Sequence, residues 1–223
     1  MDQSEYAIRI LQWNAQGIST SKEDLLKLIS EYEPRVVAIQ EKFLAGDVKV
    51  KLEGFNCYSK QGSFIRRYHG GIATYLHNSI SAQEINIVSL YQIRVVRVNV
   101  RKNLISTIAN IYLPGSAAVD EAEIGQIIDI LREPVILRVD FNGHNTVWGN
   151  MNSDRRGKML EAIFREKQLN IMNNGSATHT SGTVYRVSRR HYLTVVSPGL
   201  TADMSWKVLP SPLSSDHYPI LLD

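Results

Sequence analysis

The sequence predicts an α/β fold with mixed sheets, and three observations support this. Apolar runs of strand length alternate along the 223 residues with amphipathic segments of helical spacing. Several of the strand-like runs follow one another without a helix between them, which is typical of sheets that mix parallel and antiparallel pairs. No internal repeat and no Pro/Gly/Ser-rich linker divides the chain, so we expect one domain over residues 1–223.

The first elements are predicted from periodicity and from helix-end signals. Residues 8–13 are an apolar run that predicts a strand ending at Asn14. Thr20 and Glu23 form a T-x-x-E capping box, and apolar residues then recur at helical spacing as far as Pro34. Residues 35–40 predict a short buried strand, which leads directly to Glu41.

The remaining elements continue the same alternation. Strands are predicted at 71–77, 84–90, 93–100 and 104–112, and a helix with one buried stripe is predicted around 124–131. Pro134 ends that helix, and residues 135–139 predict a strand leading to Asp140. A third helix is expected around 160–164, with strands at 193–197 and 220–222. Residues 60–71 and 174–191 are expected to be irregular loops.

Composition limits the class of protein without indicating its chemistry. Hydrophobic residues make up 43% and charged residues 21% of the chain, which are ordinary values for a globular domain. The net charge of +3 is compatible with a polyanionic partner but far from that of a histone-like protein. The single Cys57 excludes an internal disulfide framework. The sequence has no run of 18 apolar residues, so no membrane span is expected. With no secretory signal pattern at the start, we expect a soluble intracellular protein.

Polar residues stand at or just past the ends of the predicted strands. They are Asn14, Glu41, Tyr112, Asp140 with Asn142, and Asp216 with His217. Each one alone is explained as a turn former or a cap, because Asn and Asp favour such positions. Strand ends at one edge of a sheet can converge on a single cleft, however. Together the residues supply hard-oxygen ligands for Mg²⁺, a histidine for acid–base work, and amide and phenol donors for a phosphate.

These residues lie in motifs that follow a known order. The motifs are Gln12-Trp13-Asn14, Ala38-Ile39-Gln40-Glu41, Asn110-Ile111-Tyr112-Leu113-Pro114, Asp140-Phe141-Asn142-Gly143-His144 and Ser215-Asp216-His217. In that order they resemble the endonuclease/exonuclease/phosphatase superfamily. Further motifs are Trp148-Gly149, Arg156-Gly157 and Leu193-Thr194-x-x-Ser197. With them, the chain resembles the apurinic-like endonuclease domain of non-LTR (LINE-type) retrotransposons from about residue 8 to 222.

The resemblance implies a fold, a reaction and partners. The fold would be a DNase I-like four-layer α-β-β-α sandwich of two mixed sheets. The reaction would be Mg²⁺-dependent hydrolysis of a DNA phosphodiester, with Mn²⁺ as an alternative ion, leaving a 3′-hydroxyl that primes reverse transcription. Double-stranded DNA would be the substrate, and the reverse transcriptase part of the same polyprotein a partner. We expect a monomeric isolated domain that acts in the nucleus and otherwise resides in the cytoplasm, without a membrane partner.

The resemblance also implies roles for the acidic side of the site. Glu41 resembles the principal metal ligand, with Asn14 beside it. Asp140 resembles the carboxylate that positions or deprotonates the attacking water. Asp216 would be an acid close to the metal or one contact removed from it.

The remaining site residues would contact the phosphate. Asn142 would orient the water or the phosphate, and Tyr112 would contact a phosphate oxygen. His217 resembles the histidine that binds the scissile phosphate and stabilises its developing charge. A phosphodiester is anionic and resists attack, so a metal and cationic donors must offset charge in the transition state.

Two departures from the family pattern bear on activity. Arg138-Val139 precedes Asp140 where the family usually has Gly before the aspartate, and both residues can continue a strand. Tyr192 stands where the family has an Asp that hydrogen-bonds the catalytic histidine. A phenol is neutral near pH 7, so His217 would lose a negative partner.

Two questions stay open at this stage. The first concerns four arginines in loops that would flank the cleft, namely Arg66, Arg67, Arg189 and Arg190. They either bind DNA phosphates or are solvated surface residues. The chain is either an active endonuclease, as the intact site residues favour, or a degenerate or host-adopted copy that binds nucleic acid or protein, as Tyr192 and Val139 favour. A superfamily phosphatase acting on small phosphoesters or inositol lipids is disfavoured by the D-F-N-x-H and Trp148-Gly149 context.

Overall fold

A computed structural model describes residues 8–44, 48–62, 70–101, 104–180 and 192–223. Within these ranges one sheet contains β1 (Ile10–Asn14), β2 (Val36–Gln40), β3 (Phe55–Lys60), β4 (Ile72–His77), β11 (Trp206–Val208) and β12 (Ile220–Leu222). The other contains β5 (Ala82–Ile85), β6 (Gln92–Arg101), β7 (Leu104–Tyr112), β8 (Val135–Asp140), β9 (Asn170–Ile171) and β10 (Tyr192–Val196). Their orders are β11-β12-β1-β2-β4-β3 and β5-β6-β7-β8-β10-β9.

Each sheet mixes parallel and antiparallel pairs. β1 runs parallel to β2 and β7 runs parallel to β8, whereas the other strand pairs described in the two sheets are antiparallel. The helices are α1 (Lys22–Tyr32), α2 (Glu121–Ile130), α3 (Arg155–Glu166) and the short α4 (Pro198–Thr201). The prediction of an α/β fold with mixed sheets is therefore confirmed.

Three hydrophobic clusters define four layers. One cluster joins the two sheets and contains Val36 of β2 and Ile108 of β7. A second packs Leu25 and Leu28 of α1 against the outer face of the first sheet. A third packs α2 and α3 against the outer face of the second sheet. Burial of these faces is the main contribution to stability, at roughly 25 cal/mol per Å² of apolar surface removed from water.

The strand period of two carries polar residues to the space between the sheets. On β1, Ile10 belongs to the cluster between the sheets, and Leu11 and Trp13 belong to the cluster under α1. Because alternate residues share a face, Asn14 at the end of β1 faces the opposite sheet. The same alternation on β8 turns Asp140 towards the first sheet.

Two local predictions are corrected by the structure. The capping box is wrong: the residue before α1 is Ser21, and the Thr20 hydroxyl donates to the carbonyl of Gly17, 2.8 Å away. The strand predicted over 84–90 ends at Ile85. Beyond it, the ammonium of Lys60 donates to the carbonyls of Ser89 and Tyr91, over 2.9 and 2.8 Å.

The edge strand β3 was missed because its residues are only partly buried or exposed, so its hydrophobic alternation is weak. Val139 and Arg138 do continue β8, as expected from the sequence. Neither residue has the positive φ that would call for glycine. In the part of the chain that the structure describes, no helix combines the length and the apolarity needed to cross a membrane.

Candidate active site

Four of the predicted residues meet at one edge of the two sheets. Because β1 is parallel to β2 and β7 is parallel to β8, the carboxyl ends of each pair lie side by side. The side-chain amide of Asn14 donates to Oδ2 of Asp140 over 3.3 Å. The phenol of Tyr112 donates to Oε1 of Glu41 over 2.8 Å. Both contacts join a residue of one sheet to a residue of the other.

The backbone turns sharply just after β2 and β8, at two of the predicted site residues. Glu41 follows β2 with a φ of 49°, and Asn142 lies two residues after β8 with a φ of 50°. This left-handed region costs a non-glycine residue roughly 1 kcal/mol or more, so surrounding contacts must hold it. The N–H of Gly17 donates to the carbonyl of Glu41 over 2.9 Å. The side-chain amide of Asn142 donates to the carbonyl of Leu113, also over 2.9 Å.

Asp140 is a buried carboxyl in an unfavourable electrostatic environment. Burial, followed by the negative charge of Glu41, raises the pKa of Asp140 to about 8. Hydrogen bonds from Asn14 and from the backbone N–H of Asn142 act in the opposite direction. Burial, followed by the negative charges of Glu41 and Asp140, raises the pKa of Tyr112 far above its usual value. Tyr112 therefore stays a phenol and a hydrogen-bond donor.

His217 lies at the same edge and contacts a neighbouring acid. The residue is 6% exposed, and its Nε2 is 3.3 Å from Oδ1 of Asp216. Oδ2 of Asp216 is 3.2 Å from Nε2 of His179. Burial alone would raise the pKa of Asp216, but the hydrogen bond from His179 and the charge of His217 bring it below the usual value. Asp216 is therefore an anion at neutral pH.

Tyr192 packs directly against His217. The two ring centroids are 4.8 Å apart and the rings are tilted by 34°. Tyr192 is fully buried and pairs with Asp140 in the register between β8 and β10. Burial, followed by the charges of Asp140 and Glu41, raises the pKa of Tyr192 well above its usual value. The side chain beside the histidine is thus a neutral phenol.

The comparisons with known proteins place this geometry in a family. Residues 106–221, just over half of the chain, match the family model described as endonuclease-reverse transcriptase. The chain belongs to the endonuclease-reverse transcriptase family. The resemblance to the apurinic-like endonuclease domain of non-LTR retrotransposons is confirmed.

Curated relatives of this family match almost the whole chain. The RNA-directed DNA polymerase from mobile element jockey of Drosophila melanogaster is 24% identical over 216 residues, which are 96% of this chain and 23% of that protein. The probable RNA-directed DNA polymerase from transposon X-element of the same organism is 24% identical over 220 residues, or 96% of this chain and 24% of that protein. The chain therefore spans about a quarter of the length of these relatives.

Solved structures confirm the fold. The endonuclease domain of TRAS1, a telomere-specific non-LTR retrotransposon, superposes with a TM-score of 0.80 at 20% identity, covering 97% of each chain. The AP endonuclease LMAP from Leishmania major superposes with a TM-score of 0.79 at 12% identity, covering 100% of this chain and 88% of that one. The expected DNase I-like sandwich is thus the observed fold.

Several residues of this family member that support the site were not singled out in the sequence. The amide of Gln40 donates to Oδ1 of Asn110 over 2.8 Å, which links the two sheets beneath Glu41 and Tyr112. The indole N–H of Trp13 donates to the carbonyl of His217 over 2.9 Å. The hydroxyl of Ser215 donates to the carbonyl of Asn14 over 2.7 Å. These residues lie within or beside the recognised motifs, which was the available signal.

His179 was missed for a different reason. It lies in a stretch predicted to be an irregular loop, and it belongs to none of the recognised motifs. Its neighbours in space come from the last strand-end motif, through an antiparallel bridge between His179 and His217. A contact of this kind leaves no periodic pattern in the sequence.

The four arginines predicted to bind DNA cannot be placed in this site. Arg66, Arg67, Arg189 and Arg190 lie outside the described residues. Their assignment to DNA phosphates stays a prediction. The seven other predicted site residues all lie at the edge where the strands converge.

Proposed function

We propose that this chain is a divalent-metal-dependent endonuclease that nicks double-stranded DNA and leaves a 3′-hydroxyl to prime reverse transcription. The observation that carries the proposal is the meeting of Glu41 and Asp140, two acids from opposite sheets, beside a phenol and an imidazole. An acidic pair next to neutral and cationic donors suits the cleavage of an anionic ester. The family of the chain supports the same chemistry.

The acidic pair fits a divalent cation. The charge of Glu41 raises the pKa of Asp140, and a bound cation would remove that repulsion. Glu41 and Asn14 would hold the ion, since carboxylate and amide oxygens are the donors that Mg²⁺ prefers and Mn²⁺ accepts. When bound, the ion would offset negative charge on the phosphate as the bond to the leaving oxygen breaks.

Asp140 would position or deprotonate the attacking water. Its carboxylate is held by Asn14 on one oxygen and by the N–H of Asn142 on the other, so its orientation is fixed. Burial gives it a greater affinity for protons than an exposed aspartate has, as a general base at neutral pH requires. Asn142 would orient the water or the phosphate, and its amide is itself anchored to Leu113.

Tyr112 and His217 would bind the scissile phosphate. Tyr112 keeps its proton because burial and two nearby carboxylates disfavour the phenolate, so it can donate to a phosphate oxygen. His217 lies beside the anionic Asp216, and its imidazole would bind the phosphate. The attacking water would lose a proton to Asp140 and leave its oxygen on the 5′ phosphate. The leaving 3′ oxygen would take up a proton from solvent water and become the hydroxyl of the nicked strand.

The proposed partners follow from the relatives and from charge. Those relatives are RNA-directed DNA polymerases, and we assign the reverse transcriptase part of the same polyprotein as a partner of this chain. Double-stranded DNA would be bound in part by the four arginines, with the net charge of +3 in support. We further propose a single domain over residues 1–223 that is monomeric in isolation and acts in the nucleus.

Plasmid nicking tests the proposal. The parent chain is expected to convert supercoiled plasmid to open circles with Mg²⁺ or Mn²⁺ and to stop in EDTA. Glu41→Ala should lower the rate by about 100-fold or more, because it removes the principal oxygen ligand. Glu53→Ala, at an exposed turn, is the matched control and should leave the rate unchanged. Undiminished nicking in EDTA would overturn the metal mechanism.

One observation favours a second candidate function. Tyr192 places a neutral phenol against His217, where the family resemblance implies an aspartate. The alternative is a catalytically inert copy that keeps the fold and binds nucleic acid or protein. Retained DNA binding, together with no nicking in Mg²⁺ or Mn²⁺ by either the parent chain or Tyr192→Asp, would select this alternative.

A further inference from the structure

His179, Asp216 and His217 form a compact group that the family motifs do not account for as a unit. We call it the His–Asp–His cluster. One carboxylate oxygen of Asp216 is 3.2 Å from Nε2 of His179, and the other is 3.3 Å from Nε2 of His217. The two imidazole rings meet edge-on, with centroids 4.6 Å apart. Asp216 is thus shared between the two histidines.

The backbone fixes this arrangement from both sides. The N–H of Thr180 donates to the carbonyl of Asp216 over 2.7 Å, and the N–H of Tyr218 donates to the carbonyl of Thr178 over 3.0 Å. These two bonds flank the bridge between His179 and His217. The Asp216 N–H also donates to Oε1 of Gln16 over 3.3 Å. His179 is therefore held in register with Asp216 by the chain itself.

Position 192 leaves His217 without a carboxylate on that side. Tyr192 packs its ring against His217, and its phenol carries no charge at neutral pH. The carboxylate of Asp216 is in contact with His217. The side chain of Asp216 is 39% exposed, so without a second contact it could rotate towards solvent.

We infer that His179 is a positioning residue that holds the Asp216 carboxylate against His217, so that Asp216 supplies the negative partner that Tyr192 cannot provide. The inference rests on the proposed function for its effect on the rate. His179 acts through Asp216 and is not assigned to the substrate. This role explains why Asp216, which lies next to the proposed phosphate-binding His217, also contacts His179. A partly exposed aspartate usually needs no second contact of this kind.

A double-mutant cycle between positions 179 and 192 tests the inference. His179→Ala should lower kcat for nicking roughly ten-fold, the lower end of the effect of removing an orienting partner, with little change in the KM for DNA. In a Tyr192→Asp background the same change should cost less than about three-fold, because a carboxylate at 192 then serves His217. An equal loss in both backgrounds would contradict the inference.

Two further variants separate positioning from general structure. His179→Gln keeps a side-chain N–H donor and should recover most of the lost rate. His77→Ala removes another histidine that bonds a neighbour, Ser79, and should leave the rate unchanged. Assays contain Mg²⁺ alone after removal of transition metals, because the ligand atoms of the cluster lie within 4.8 Å of one another and could bind such ions.

Nitrogen-edited NMR of the metal-free, DNA-free protein tests the inference without catalysis. The ring signals of His217 should shift in His179→Ala and in Asp216→Asn, but not in His77→Ala. Unchanged His217 signals in His179→Ala would overturn the inference even if the chain nicks DNA. Because the two rings are in contact, loss of the His179 ring by itself also changes these signals. The positioning role is therefore upheld only if His179→Ala and Asp216→Asn shift the His217 signals alike, and this result in a chain that never nicks would overturn the proposed function. The NMR result decides the matter if Tyr192→Asp fails to fold.

Discussion

At the scale of single residues, the site places negative charge where the protein alone stabilises it poorly. Asp140 is buried, faces Glu41, and has a pKa of about 8. Asparagine at this position would remove that repulsion and also the proposed base. A destabilising carboxyl such as that of Asp140 is expected where function, and not stability, selects the side chain.

The first prediction is a pH dependence of stability. The folded pKa of Asp140 lies above the unfolded value near 3.8. Its contribution to stability is therefore fully present below pH 3.8 and is lost as the pH rises through about 8. In EDTA, the free energy of unfolding of Asp140→Asn minus that of the parent should grow between pH 5 and pH 9 by on the order of a few kcal/mol. Urea denaturation at each pH measures it.

The matched control is Asp129→Asn, at an exposed carboxylate on α2. Its stability difference from the parent should stay constant over the same pH range. Adding Mg²⁺ at pH 9 should stabilise the parent more than Asp140→Asn, since the ion would offset the paired charges. A difference that does not vary with pH for Asp140→Asn would mean that the buried carboxyl is not destabilising.

At the scale of elements, the ends of β2 and β7 are joined by polar contacts within the apolar space between the sheets. Asn110 accepts from Gln40, and its own amide donates to the carbonyls of Ile39 and Ala73 over 3.2 and 3.1 Å. All these groups are buried, so each contact satisfies atoms that water cannot reach. The contacts set the spacing of the sheets beneath Glu41 and Tyr112.

The second prediction concerns this link. Asn110→Ala should lower the free energy of unfolding by about 2–3 kcal/mol, because it leaves the buried amide of Gln40 without its acceptor. Asn56→Ala, at an exposed position of β3, is the control and should change stability by less than about 0.5 kcal/mol. Equal effects of the two substitutions in urea denaturation would show that the link contributes nothing specific.

At the scale of the whole molecule, the small excess of positive charge must be concentrated if it is to bind DNA. The chain carries 25 Lys and Arg against 22 Asp and Glu, so its overall field is weak. The sequence has three Arg-Arg pairs, at 66–67, 155–156 and 189–190. Because the guanidinium of Arg156 donates to the carbonyls of Phe141 and Ala117, the other two pairs are the candidates for DNA phosphates. Phosphate contacts position a protein on DNA and give binding its salt dependence.

The third prediction tests those pairs. Replacing Arg66, Arg67, Arg189 and Arg190 with alanine should weaken DNA binding and flatten its salt dependence by up to about 0.9 log units per lost contact. The control removes the same charge from four exposed lysines, at positions 27, 51, 158 and 207. Asp140→Ala should abolish nicking while leaving affinity nearly unchanged. If both quadruple variants show the parent's salt slope, the arginine pairs are solvated surface residues.

The sequence by itself determined most of the elements in their order and the residues at the strand ends. Burial alternates every second residue in a strand and recurs every three to four in a helix, so local composition records which face is covered. For that reason Asn14, Glu41, Tyr112 and Asp140 could be named before their positions in space were known. The local signals that failed were weak for physical reasons, as at the partly buried β3.

Only the tertiary structure decided which side chains meet. The contacts of Asp216 with His179, of Tyr192 with His217, and of Gln40 with Asn110 join segments far apart in the chain. Each depends on strand register and on the distance between two sheets, and these are set by the packing of the whole core. No local pattern records such pairings, because the same side chains would fit an unrelated turn or surface equally well.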